Sequence, residues 1–123
     1  MRETLKALAT ITVTPEEEYI PIEGNACACG EEDCYDAHIR PVMDDRDNGN
    51  PWAWCCVKVS AKLDGFEGHA YLGACSYPNA QAFLDGGYYE DMVDEALNNL
   101  QEEIEARERA IAKIRSWATR GKE

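Results

Sequence analysis

The chain has 123 residues, of which 45% are apolar, and a formal net charge of −12 from 24 Asp and Glu against 12 Lys and Arg. That length fits one domain, residues 1–123, with a single core, and the apolar share argues against wholesale disorder. The charge argues against direct binding to nucleic acid or anionic membrane. No apolar run approaches the roughly 18 residues of a membrane span, and no signal-peptide core follows Met1, so a soluble, cytoplasmic protein with reduced cysteines is expected.

Leu5, Ala7, Ala9, Ile11 and Val13 alternate with more polar neighbours, which predicts a half-buried strand ended by Pro15. After the charged run Glu16-Glu17-Glu18, the segment Tyr19–Ile22 can return only as a short edge strand, because Pro21 lacks an N–H. A cysteine-rich loop opens at Gly24-Asn25. Residues 37–43 are a further short strand candidate, confined to an edge by Pro41, and residues 44–51 are a polar surface loop.

The firmest element is a hairpin, 52–63 against 66–75, around Asp64-Gly65, a dipeptide suited to the positive φ angles of a two-residue type I′ turn. That turn sets Leu63 opposite Phe66, Lys62 opposite Glu67, Val59 opposite Ala70, Val57 opposite Leu72 and Cys55 opposite Ala74. Cys55, Val57, Val59, Leu63, Phe66, Ala70 and Leu72 then share the core face, and Lys62 pairs with Glu67 on the other. On that other face the register also collects Trp52, Trp54, Cys56, His69, Tyr71 and Cys75. Either another element covers these aromatics or they form a partner-binding patch.

A short helix over 78–84, capped by Ser76, precedes a long one over 88–118, whose stripe is Tyr89, Val93, Leu97, Leu100, Ile104, Ile111, Ile114 and Ala118. Acidic residues lie early in it and basic ones late, in keeping with the helix dipole. At about 45 Å it outruns a domain some 30 Å across, so it should overhang the sheet beyond Ile104. Ile111, Ile114 and Trp117 then need cover, from a second copy or another protein, or from the N-terminal strand or the cysteine loop folding back. The fold class expected is α+β, an antiparallel sheet of about four to five strands carrying the two helices.

Cys27, Cys29, Cys34 and His38 lie within twelve residues, a donor set that could hold a structural zinc tetrahedrally. Cys-x-Cys is less typical of such sites than Cys-x-x-Cys, and thiols in a loop without metal are the simpler reading. The serines and histidines fall in no recognisable catalytic motif, and the carboxylates lie in runs that read as solvated surface. Three functions follow: an acidic protein-binding inhibitor, a zinc-stabilised structural or regulatory module, and a small enzyme with an unfamiliar site. The first rests on carboxylates at Glu16–Glu18, Glu31–Asp33, Asp44, Asp45, Glu90, Asp91, Asp94, Glu95 and Glu102, which could mimic a phosphate backbone, with Trp52 and Trp54 as a further candidate surface.

A short chain with a hairpin Trp52–Cys75 around Asp64-Gly65 and a long acidic helix Tyr88–Trp117 resembles the small phage and mobile-element proteins that inhibit host defence, anti-CRISPR proteins among them. The likeness is one of size, acidity and outline. No motif carries it, so no functional residue is carried over, and the Cys27-to-His38 loop departs from the common members. It implies an inhibitor in the host cytosol that binds stoichiometrically to the basic surface of a nucleic-acid-handling protein, without touching nucleic acid itself. The long helix offers a route to a homodimer.

Overall fold

The structure, a computed structural model, describes residues 1–27 and 34–121. In chain order the elements are α1 (Arg2–Leu8), β1 (Thr10–Glu16), a π-helical turn (Tyr35–Ile39) running into α2 (Arg40–Asp47), β2 (Cys55–Leu63), β3 (Phe66–Cys75), α3 (Ala80–Leu84) and α4 (Tyr89–Arg120). The protein is α+β as expected. Among the described residues its antiparallel sheet has three strands in the order β1-β2-β3, not four or five.

The hairpin forms around Asp64 and Gly65, whose φ angles of 49° and 83° are the two positive values a type I′ turn requires. Leu63 opposes Phe66, Lys62 opposes Glu67, Val59 opposes Ala70 and Val57 opposes Leu72. Lys62 and Glu67 pair at 3.5 Å. The register fails at one place. A bulge between Cys55 and Val57 sets Cys55 opposite Cys75, not Ala74, and Ala74 takes a φ of 54°. The extra residue turns the Cys75 side chain from the outer face into the core.

Three expected strands change identity. Only the second half of 5–13 is strand: Arg2–Leu8 is helical, buries Leu5, and is held to α4 by Arg2, which donates to the Asn98 side chain and to the Asp94 carbonyl. The apparent alternation across Ala7 and Ala9 carries no face preference there, because alanine suits a helix as well. Pro15 does not end β1; it pairs with Val57, and β1 accommodates it because it lies at the sheet edge. Tyr19–Ile22 is not a strand, since its backbone groups find side-chain partners. Ile20 N donates to Glu18 Oε1 at 3.0 Å, and the Ile20 carbonyl accepts from Trp54 Nε1 at 2.7 Å.

Residues 37–43 are helical, and 44–47 continue the helix into the segment expected to be loop. The obstacle was Pro41, which cannot donate within a helix. The wide π turn immediately before it loosens the hydrogen-bond ladder where that N–H is missing. Asp36 and Arg40 brace this turn at 3.2 Å, and Ile39 packs inward against Trp54 and Ile22.

Trp52 and Trp54 precede β2 and do not stand on the sheet's outer face. They are 8% and 7% exposed; Trp52 belongs to the main core and Trp54 to a smaller cluster with Ile22 and Ile39. Trp52 stacks on Phe83 of α3, with ring centroids 5.8 Å apart. The cap of α3 is Asn79, not Ser76, and accepts from Ala82 N at 2.9 Å. Helix α4 lies on β3 and β2 through Met92, Ala96, Leu97 and Leu100, all buried. At 32 residues it is about 48 Å long, and every residue from Ala106 to Gly121 is exposed. The overhang is therefore real.

Candidate functional site

Charge is divided unevenly along the folded chain. Residues 1–105 carry 22 Asp and Glu against 6 Lys and Arg, a net of −16, whereas residues 106–121 carry Arg107, Arg109, Lys113, Arg115 and Arg120 against Glu108, a net of +4. The early acidic residues of the long helix were legible as a dipole pattern. Their separation from an oppositely charged overhang follows from the length of helix that rests on the sheet.

Glu90, Asp91, Asp94, Glu95 and Glu102 are all exposed on α4. Asp94 lies 3.6 Å from Arg2, an ion pair weakened by solvent. Asp91 and Glu95, and Glu90 and Asp94, repeat at i,i+4, where like charges repel by a few tenths of a kcal/mol. The dipole offsets this only in the first turn. The row is tolerated because packing, not surface charge, holds the helix.

A second acidic region is assembled by the fold. An open cleft of about 500 Å³ is lined by Pro15, Glu16, Glu17 and Glu18 at the end of β1, by Arg46 in the last turn of α2, by Gly49, Asn50 and Pro51 after it, and by Trp54. It brings the 16–18 run beside the segment containing Asp44 and Asp45. Asp45 is engaged there, accepting from Asn50 Nδ2 at 2.6 Å, while Asp44 is exposed. Glu18 is structural: its Oε2 accepts from Ala74 N, the amide released by the bulge, at 2.8 Å. That bond and the one from Ile20 N hold its carboxyl below the usual carboxylate range. Sequence reasoning missed this role, because neither the bulge nor the loop facing it had a local signal.

The four proposed zinc donors are only partly in view, since Cys29 and the acidic residues Glu31–Asp33 lie outside the described residues. Cys27 and Cys34 are half-buried, Cys34 against the Trp54 cluster, and His38 is exposed on the π turn. Among the described residues, no group of three or more His, Cys, Asp or Glu is placed to hold a metal ion.

The structure also assembles a catalytic-looking row from Ser60, His69 and Glu67. Ser60 Oγ lies 2.8 Å from His69 Nδ1, and His69 Nε2 lies 3.3 Å from Glu67 Oε2. The signal was available in the hairpin register, which places Ser60 opposite His69. Ser60 is only 3% exposed, however, so its hydroxyl offers no approach to a substrate. The row works as a cross-strand brace, reinforced by Asn99 Nδ2, which donates to the His69 carbonyl at 2.7 Å. The exposed aromatic ring on this face is Tyr71, beside the exposed Lys62 and Glu67, with Lys58 Nζ 5.9 Å from its ring centroid. Of the two alternatives for these aromatics, cover holds for Trp52 and Trp54, and a patch would be reduced to that single ring.

The thiols at the bulge respond to burial. It pushes the Cys55 thiol up to about 12, and raises Cys56 and Cys75 as well. In the unfolded chain they ionise near about 8.5. Their contribution is thus complete below that pH and is lost as pH rises through the folded values. Stability should fall by up to about 1.4 kcal/mol per pH unit between pH 9 and 12 on account of Cys55, with Cys56 and Cys75 acting in the same direction. Urea midpoints at pH 8 and pH 10.5 check this, with native-state thiol titration alongside. Equal midpoints, with Cys55 reacting at once, would contradict it.

Among the described residues no helix is long and apolar enough to cross a membrane. Comparison with protein families, with curated proteins and with solved structures finds no match to this chain.

Proposed function

We propose that the protein is a stoichiometric protein-binding module that sets a carboxylate-rich surface against a basic, nucleic-acid-binding surface of its partner. The observation that carries this is the −16 borne by residues 1–105, with an exposed acidic row along α4 that has Arg2 as its near cation. Such a surface steers association with a cationic partner and competes for it with phosphate backbones. The resemblance to small inhibitors of host defence supplies the class of target, a nucleic-acid-handling complex. With Trp52 and Trp54 buried, the aromatic alternative loses its main contributors.

Capture from a lysate of a candidate host tests the reading, using wild type and a variant with Glu90, Asp91, Glu95 and Glu102 changed to Lys. Asp94 is left in place to keep its contact with Arg2. Exposed charges are screened beyond about 8 Å at physiological ionic strength. The association rate with the captured partner should therefore drop about tenfold between low and high salt. The variant should bind at least tenfold more weakly, and duplex DNA or RNA should displace the wild-type protein. Binding indifferent to the four substitutions and to nucleic acid, in a variant that unfolds at the wild-type temperature, would sink the proposal.

A further inference from the structure

Along α4 the positions Val93, Leu97, Leu100, Ile104, Arg107, Ile111, Ile114 and Ala118 alternate steps of four and three, a heptad seam. The first four pack toward the sheet. At Arg107, whose guanidinium lies 5.5 Å from the Phe66 ring centroid at the hairpin tip, the sheet ends and the seam continues without it. Ile111, Ile114 and Trp117 are 46%, 59% and 53% exposed. The overhang starts from turns already packed on the sheet, so the nucleation cost that makes short isolated helices marginal has been met.

We infer that this overhang is an interface for a second copy of the chain, with the two α4 helices pairing antiparallel around Ile111 and Ile114. Charge selects this occupant and this orientation. With Ile111 facing Ile114 of the second copy, Arg107 faces Ala118. The heptad then sets Glu108, the one acid of the overhang, beside Arg115 of the second copy, and symmetry repeats the pair. Ala110 likewise faces Trp117 of the second copy and leaves room for it. Each +4 overhang also points toward the other copy's −16 body, while the two bodies stay at opposite ends. A parallel pair would instead bring the bodies together and set Glu103 against Glu108. The overhang is about 22 Å long, which puts the buried area at the low end of specific interfaces and the dissociation constant on the order of 10 μM.

Sedimentation equilibrium of the full chain from 1 to 500 μM tests this, with fluorescence as a second readout. Trp117 is the exposed tryptophan, so its emission should shift to the blue as dimer forms. Ile114→Glu changes an exposed side chain, leaves the body intact, and should weaken association at least 100-fold. Glu108→Arg and Arg115→Glu should each weaken it about tenfold, and the double variant should restore it. A chain that stays monomeric at 500 μM, a dimer whose double variant is not rescued, or a monomer that buries Trp117 only in anionic vesicles would each overturn the inference.

Discussion

Replacing Gly68 by alanine should destabilise the protein by about 3 kcal/mol or more, an unusually large effect for one added methyl. Gly68 is buried in β3 directly beneath α4. A Cβ built there would overlap the Ala96 carbonyl oxygen and the Leu100 backbone nitrogen, and would stand 2.8 Å from Leu100 Cα. All three atoms belong to the helix backbone, so no side-chain rotation relieves the clash. Relief requires α4 to retreat from the sheet, which opens the contacts that keep Leu97 and Leu100 buried against it. Measured by urea unfolding, the change should also appear as a melting temperature lower by roughly 10 °C. A loss below 1 kcal/mol would mean that the helix slides to a new seat without cost.

Phe83→Ala should cost about 4 kcal/mol, within the range for emptying a fully buried aromatic site. Phe83 is 0% exposed, stacks on Trp52, and meets the edges of Tyr77 and Tyr89 with centroids 5.4 and 6.1 Å away. Helix α3 has five residues, too few to persist alone, and Phe83 is its buried residue. Losing that ring should release α3 and alter the Trp52 environment, visible in near-ultraviolet circular dichroism. The neighbouring Leu84→Ala, at a position 36% exposed, serves as the control and should cost less than 1 kcal/mol. Equal effects at the two positions would show that Phe83 is not the anchor. The same network makes Trp52 unsuitable as an interface probe, since truncating it damages the core first.

Where local chemistry was decisive, the amino-acid order already contained the answer. Asp64-Gly65 can supply two positive φ angles, and the pairs on either side agree in both burial and charge, so the hairpin register from Leu63–Phe66 to Val57–Leu72 was readable. A stripe of helical period over some 30 residues, longer than a domain of this size, made the overhang of α4 readable too, by arithmetic on rise per residue. The acidic character of residues 1–105 is simple composition.

Other features depended on groups distant in sequence. Leu5 is helical because Arg2 reaches Asp94 and Asn98, more than 90 positions away, and a short alternating segment holds no trace of that contact. Tyr19–Ile22 leaves the sheet because Glu18 and the Trp54 indole satisfy its backbone, and Ala74 bulges where Glu18 can accept its N–H. That bulge sends Cys75 inward, while the position of Trp52 and Trp54 ahead of β2 takes them off the outer face. The strand-to-helix change around Pro41 needed a π turn, a geometry set by the packing of Ile39 against Trp54 and Ile22. Sequence fixes an element wherever its own neighbours satisfy the backbone and choose the buried face. It falls silent where a side chain from elsewhere makes that choice, because such contacts form only as the chain is brought together.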